Sequence, residues 1–167
     1  MPLFFPSILC HLAYLETVTP RTSGSPMSQV NAQAATETLI KHYYEAFNRG
    51  DADGMLACLD DDVAHDVNQG VRRPGKEAFA VFCLHMSRCY QEKLENIVIM
   101  ASADGSRAAA EFNVNGKYLK TDEGLPPAKG QTYKLPAGTF FAVKDGRITR
   151  VTTYYNLTDW LMQVTGG

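Results

Sequence analysis

The sequence predicts an α+β domain in which three amphipathic helices precede a mostly antiparallel sheet. Two observations carry this prediction. Apolar residues recur at three- and four-residue spacing as far as Tyr90 and at two-residue spacing beyond it, and D-G pairs at Asp104-Gly105 and Asp145-Gly146 mark hairpin turns in the second half. With 167 residues, 45% hydrophobic and 20% charged, the chain has enough material for one globular core.

The first helix is read from Thr36, where Leu39, Tyr43 and Phe47 recur at i, i+4, i+8, Ile40 and Tyr44 widen the stripe, and Gly50 closes it. Asp51 caps a short second helix with Met55, Leu56 and Leu59 as its apolar positions, and the acidic run Asp60 to Asp62 reads as a solvated helix-to-strand turn. A strand follows, with Val63, His65 and Val67 on one face and Ala64, Asp66 and Asn68 on the other. Gly70 to Gly75 reads as a loop, and Lys76 to about Tyr90 as a third helix whose apolar face is Phe79, Phe82, Cys83, Met86 and Tyr90. Long strands are expected over Leu94 to Met100, Arg107 to Gly116, Gln131 to Val143 and Arg147 to Asn156, with a bend or bulge at Pro136 and Gly138 in the third. The Tyr118 to Gly130 connection is long enough to fold over a pocket mouth, and an amphipathic piece from Leu157 to Val164, carrying Trp160, is placed to cover a sheet edge.

Residues 1–34 are expected to be a flexible or mis-called N-terminal extension, with Met27 an alternative start, and 35–167 a single domain. The apolar run from Leu3 to Leu15 is interrupted by Pro6 and His11 and follows no basic residue, unlike a signal peptide, and it is too short to span a bilayer. A net charge of −2 with both signs interspersed gives no footprint for nucleic acid or an anionic membrane. The four cysteines, Cys10, Cys58, Cys83 and Cys89, form no C-x-x-C pair and read as reduced thiols, which favours the cytoplasm. Neither metal nor cofactor is expected, because the chain has no H-x-x-x-H, no paired C-x-x-C and no Gly-rich phosphate loop.

The chemistry-bearing stretch is Asp61 to Gly70, D-D-V-A-H-D-V-N-Q-G. An imidazole at His65, flanked by valines on its own face, is placed to accept a proton at neutral pH, with a tyrosine hydroxyl at Tyr43 to stabilise a developing enolate. The duller reading makes His65 a hydrogen-bonded core residue and Tyr43 a buried anchor. Asp66 is expected to pair with Arg72 or Arg73. Asn68 reads first as part of a turn, with ligand orientation as the alternative. Glu111 suits a base if it faces inward and a polar exterior if it faces outward.

The order of elements, together with Y-Y-E-A-F-N-R-G-D ending the first helix and D-D-D-V-A-H-D-V-N-Q-G after it, resembles the ketosteroid-isomerase-related, SnoaL-like members of the nuclear transport factor 2-like (NTF2-like) superfamily over roughly Ala35 to Val164. The resemblance implies a cone, a curved mostly antiparallel sheet wrapped around three N-terminal helices, with a small apolar ligand in a conical pocket and a homodimer formed through the outer sheet face. It places Tyr43 where the isomerase has its tyrosine donor, but Val67 at the position of the catalytic base and Thr139 at that of the second acid, so steroid isomerisation by that mechanism is disfavoured. It also implies Tyr155 as a pocket-lining aromatic. Phe141 follows Thr139 by alternation, and Phe82 is an aromatic candidate on the third helix. The expected activity is cofactor-independent acid/base chemistry of isomerase or cyclase type on a small apolar carbonyl compound; the alternative is a non-catalytic ligand-binding or dimeric interaction domain.

Overall fold

The computed structural model describes residues 26–68 and 70–166. The part of the expected N-terminal extension up to residue 25 lies outside the described residues. The helix read from Thr36 begins earlier: α1 spans Pro26–Arg49, buries Thr36, Ile40, Tyr43, Tyr44 and Ala46 along one stripe, and ends at Gly50 in the left-handed region (φ 69°). There the Asp51 amide donates to the Ala46 carbonyl and the Gly50 amide to the Phe47 carbonyl, closing the last turn. The Asp51 side chain then accepts from the Gly54 amide at 2.8 Å and caps α2, Ala52–Ala57.

The acidic run is not a turn. It lies inside β1, Leu59–Asp66, because Leu59 and Val63 anchor both ends of the segment in the core while Asp61 and Asp62 face solvent. The expected loop after it contains a short strand β2, Arg72–Pro74, held antiparallel to β1 by the Arg72–Asp66 pair (Nε to Oδ1 2.6 Å). Next come α3 (Lys76–Cys89), β3 (Tyr90–Ala101), β4 (Arg107–Tyr118), β5 (Thr132–Lys144), β6 (Arg147–Tyr155) and α4 (Leu157–Thr165).

The strands form one six-stranded sheet in the order β2-β1-β6-β5-β4-β3. This corrects the expected cone: the sheet is open, with β2 and β3 as separate edges, and does not curl strongly into a closed shape. It is also mixed. β1 pairs parallel with β6, His65 opposite Val151, because the whole intervening chain serves as the crossover that brings β6 back beside β1. The β4–β5 register runs without a break past Pro136 and Gly138, so no bulge falls there; the register shifts lie at Leu59/Ala64 in β1, at Glu95 to Val98 in β3, where Asn96 takes φ 55°, and at Ala142/Val143. The hairpin at Asp145-Gly146 has both residues at positive φ, as a tight β5–β6 turn requires.

One sheet face is buried. Ala108, Ala110, Phe112, Val114 and Tyr118 of β4 and Tyr133, Leu135, Thr139 and Phe141 of β5 alternate onto it and meet α1 and α4, while α3 packs on β1 and β3. Where β6 stops short of the β5 end, Gln163 of α4 takes its place, accepting from the Lys134 amide and donating to the Lys134 carbonyl.

Candidate functional site

His65 sits on the buried face of β1, 4% exposed, in an aromatic corner supplied by α3: its ring lies 4.7 Å from Phe79 and 4.6 Å from Phe82, and the Arg73 guanidinium stacks 5.9 Å over Phe82. Helical spacing brings both phenyl rings to β1, and the valine-flanked alternation of the strand turns the imidazole toward them. Nδ1 of His65 is buried without a hydrogen-bond partner. Burial, and then the nearby Arg73 charge, push the imidazole down to about 4 against the opposing effect of Asp66, so it is neutral at physiological pH.

Tyr43 lies on the same side of the sheet but in a different contact set. Its ring packs edge-on against Tyr44 (5.3 Å) and Phe141 (5.8 Å), and burial first, with Tyr44, Cys83 and Cys58 beside it, holds its hydroxyl well above the ordinary tyrosine value. No hydrogen bond joins Tyr43 to His65 among the described residues; on α3, Phe82 packs on His65 and its neighbour Cys83 lies near Tyr43. Tyr44, a residue the sequence reading treated only as packing, faces Thr139 and has a buried hydroxyl without a partner. Thr139 bonds Thr153 across the β5–β6 pair, Oγ1 to Oγ1 2.9 Å. Phe141 is fully buried core.

The remaining expected ligand contacts divide between two places. Val67 and Asn68 end β1 in a turn in which the Gly70 amide donates to the Val67 carbonyl, and Asn68 Nδ2 donates to the Tyr155 carbonyl at 3.4 Å. Glu111 is on the opposite, outer face, paired between Val98 and Gly138; with Tyr155 it borders an open groove of about 680 Å³. It is therefore not brought to His65 and Tyr43. A second open groove of about 730 Å³ lies over the β3–β4–β5 end of the sheet, lined by Lys93, Asn115 and Lys134 among others.

Two clusters escaped the sequence reading. Glu92 of β3 faces inward and accepts a hydrogen bond from the Tyr133 hydroxyl; burial raises its carboxyl above the usual range and that bond partly offsets the rise. The bond exists because Gly116 stands between the two strands: a Cβ there would meet the Tyr133 ring at 2.1 Å. A glycine at an inward position of a strand, between Val114 and Tyr118, was the available signal. The other cluster joins His85, Cys89 and Asp122, whose ligand atoms lie within 4.8 Å of one another. His85 and Cys89 have the same i, i+4 spacing as H-x-x-x-H, a mixed pair that a search for like residues passes over.

The comparisons with known proteins agree on the family. The SnoaL-like domain profile matches residues 40–151. Three crystal structures of candidate polyketide cyclases are similar at high identity. The protein from Silicibacter sp. TM1040 is 62% identical over 79% of this chain and 96% of its own, with a TM-score of 0.77. Those from Pseudomonas putida KT2440 (59%, covering 77% and 97%, TM-score 0.77) and Xanthomonas campestris pv. campestris (56%, covering 80% and 98%, TM-score 0.78) follow. No match to a curated protein was found. A profile spanning most of the domain, and relatives of this identity covered almost end to end, place the chain in the SnoaL-like domain family of the NTF2-like superfamily.

Proposed function

We propose that this protein is a cofactor-independent acid/base enzyme of cyclase or isomerase type that acts on a small apolar carbonyl compound. The observation that carries the reading is His65, a neutral imidazole in an aromatic corner with Nδ1 unpaired. A buried nitrogen without a partner is costly unless something else compensates it, and a bound substrate supplies that partner. In this reading His65 takes a proton from the carbon beside a carbonyl, and the Tyr43 hydroxyl, neutral at any working pH, donates to the enolate oxygen that forms. Phe82, Val67, Asn68, Thr139 and Phe141 are proposed to contact or orient the substrate.

The chemistry needs no further reactant. An enolate carbon that attacks a second carbonyl of the same molecule forms one C–C bond, and the alkoxide produced takes back the proton from His65, so atoms and electrons balance within the substrate. Burial makes His65 a weak base, which favours a methylene flanked by two carbonyls over a simple ketone. The likeness to candidate polyketide cyclases supports the same class.

A homodimer through the outer sheet face and a cytoplasmic location belong to the proposal. Supporting the dimer, Val98, Met100, Phe140 and Tyr154 stand about half exposed on that face, with Phe140 and Tyr154 in edge contact. No described helix is long and apolar enough to cross a membrane.

The test is a thermal-shift screen of the full chain against aromatic polyketides, small cyclic ketones and steroids, followed by turnover assays of any ligand with His65→Ala and Tyr43→Phe. A ligand at 100 times its dissociation constant adds about 2.7 kcal/mol. Stabilisation by a dicarbonyl compound, conversion by the wild type, and loss of conversion with retained binding in both variants is the expected outcome. Equal binding by all three proteins with no conversion would make this a ligand-binding domain.

A further inference from the structure

At the far end of α3 from its Gly75 start, three side chains of different chemistry converge where the 119–131 connection crosses the helix. His85 and Cys89 are one turn apart on a single helix face, and Asp122 reaches them from the connection. His85 Nε2 is 2.9 Å from Asp122 Oδ1 and 3.9 Å from Cys89 Sγ. A tetrahedral zinc-class ion with bonds of about 2.0–2.3 Å sets nitrogen and oxygen roughly 3.3 Å apart and each of them roughly 3.5 Å from sulfur, so on binding the His85–Asp122 pair opens by about 0.4 Å, the His85–Cys89 pair closes by about as much, and the thiol, already within 4.8 Å of the carboxylate oxygen, draws toward it.

The surroundings are built as a ligand set requires. The Tyr90 hydroxyl donates to Asp122 Oδ2 at 2.9 Å, fixing the carboxylate and leaving Oδ1 toward the histidine. The Asp122 amide donates to the Tyr118 hydroxyl, and the Leu119 and Lys120 amides both donate to the Cys89 carbonyl, so the connection is already locked to the end of α3. Cys89 is buried, Asp122 is one-fifth exposed and His85 is about half exposed, which gives solvent access from one side and shelter on the other. A simple ion pair accounts for His85 and Asp122. The buried Cys89 thiol adds a sulfur donor beside the same nitrogen.

We propose that His85, Cys89 and Asp122 bind a divalent transition-metal cation of the zinc class, tying the 119–131 connection to α3. The mixed nitrogen, sulfur and oxygen set suits zinc or cobalt and not magnesium or calcium, which prefer oxygen alone. Binding replaces the Cys89 thiol proton, which passes to solvent, with the metal–sulfur bond. Three protein ligands leave one coordination position for water. The inference is independent of the acid/base reading: its residues are not those assigned to proton transfer.

The experiment is titration of the full chain, stripped with a chelator, with Co²⁺ followed spectroscopically, then with Zn²⁺ in competition. The expected result is thiolate-to-cobalt charge-transfer absorption that saturates at one equivalent and disappears as Zn²⁺ is added. Cys89→Ser abolishes the band and Cys58→Ser keeps it. His85→Gln, at an exposed position that does not threaten folding, weakens Co²⁺ binding by more than about tenfold, and Tyr90→Phe, which frees the carboxylate, by about tenfold. Absence of the band at one equivalent, a band that persists in Cys89→Ser, or unchanged affinity in His85→Gln overturns the proposal.

Discussion

His65 has the most specific consequence for solution behaviour. Its imidazole is held at about 4 in the fold, against about 6.5 in an unfolded chain, so between those values the unfolded state binds a proton that the folded state refuses. Stability is therefore complete above about pH 6.5 and falls as pH drops toward 4, by an amount on the order of 3 kcal/mol from this group. Urea unfolding from pH 7 to pH 4 should show a steeper loss for the wild type than for His65→Gln; parallel curves would show that the ring is already solvated. The sequence marked this residue through strand alternation, and placed Tyr43 on the buried stripe of α1. What it did not reveal was that Tyr44 rather than Tyr43 faces Thr139, because a helix stripe wide enough to bury two consecutive tyrosines does not say which one meets which strand.

Among elements, the two-residue period made β3 to β6 legible, since one of their faces is dry and the other wet. The start of β1 was not, because three aspartates look like solvent until Leu59 and Val63 are seen to anchor the strand between them. The β3 bulge at Asn96 was equally hidden, as asparagine at positive φ leaves no mark on an apolar pattern. Gly116 is the clearest test at this scale. Gly116→Ala forces the Tyr133 ring off the strand and parts it from Glu92, at a cost of roughly 1–3 kcal/mol. Combining it with Tyr133→Ala should remove the clash, so that the two substitutions together cost less than their sum in thermal or urea unfolding. Strict additivity would mean that the ring does not lie over the glycine.

For the whole molecule, the helix-then-sheet order was readable, whereas the open edge and the parallel β1–β6 junction were not: strand order depends on contacts between the first and last strands, about ninety residues apart in sequence. The outer face follows from the same topology, and Phe140→Lys at its centre should convert the proposed dimer to monomer in light scattering while leaving the fold intact by circular dichroism; an unchanged mass would place the dimer elsewhere or remove it. Proton transfer at carbon is read from exchange of the methylene protons of a cyclic 1,3-dicarbonyl compound in heavy water, followed by proton NMR with and without the protein. Exchange faster than the buffer rate is expected, lost in His65→Ala and reduced in Tyr43→Phe while both variants still bind the compound. Exchange at the buffer rate with a demonstrably bound dicarbonyl, or acceleration that survives His65→Ala, would contradict it.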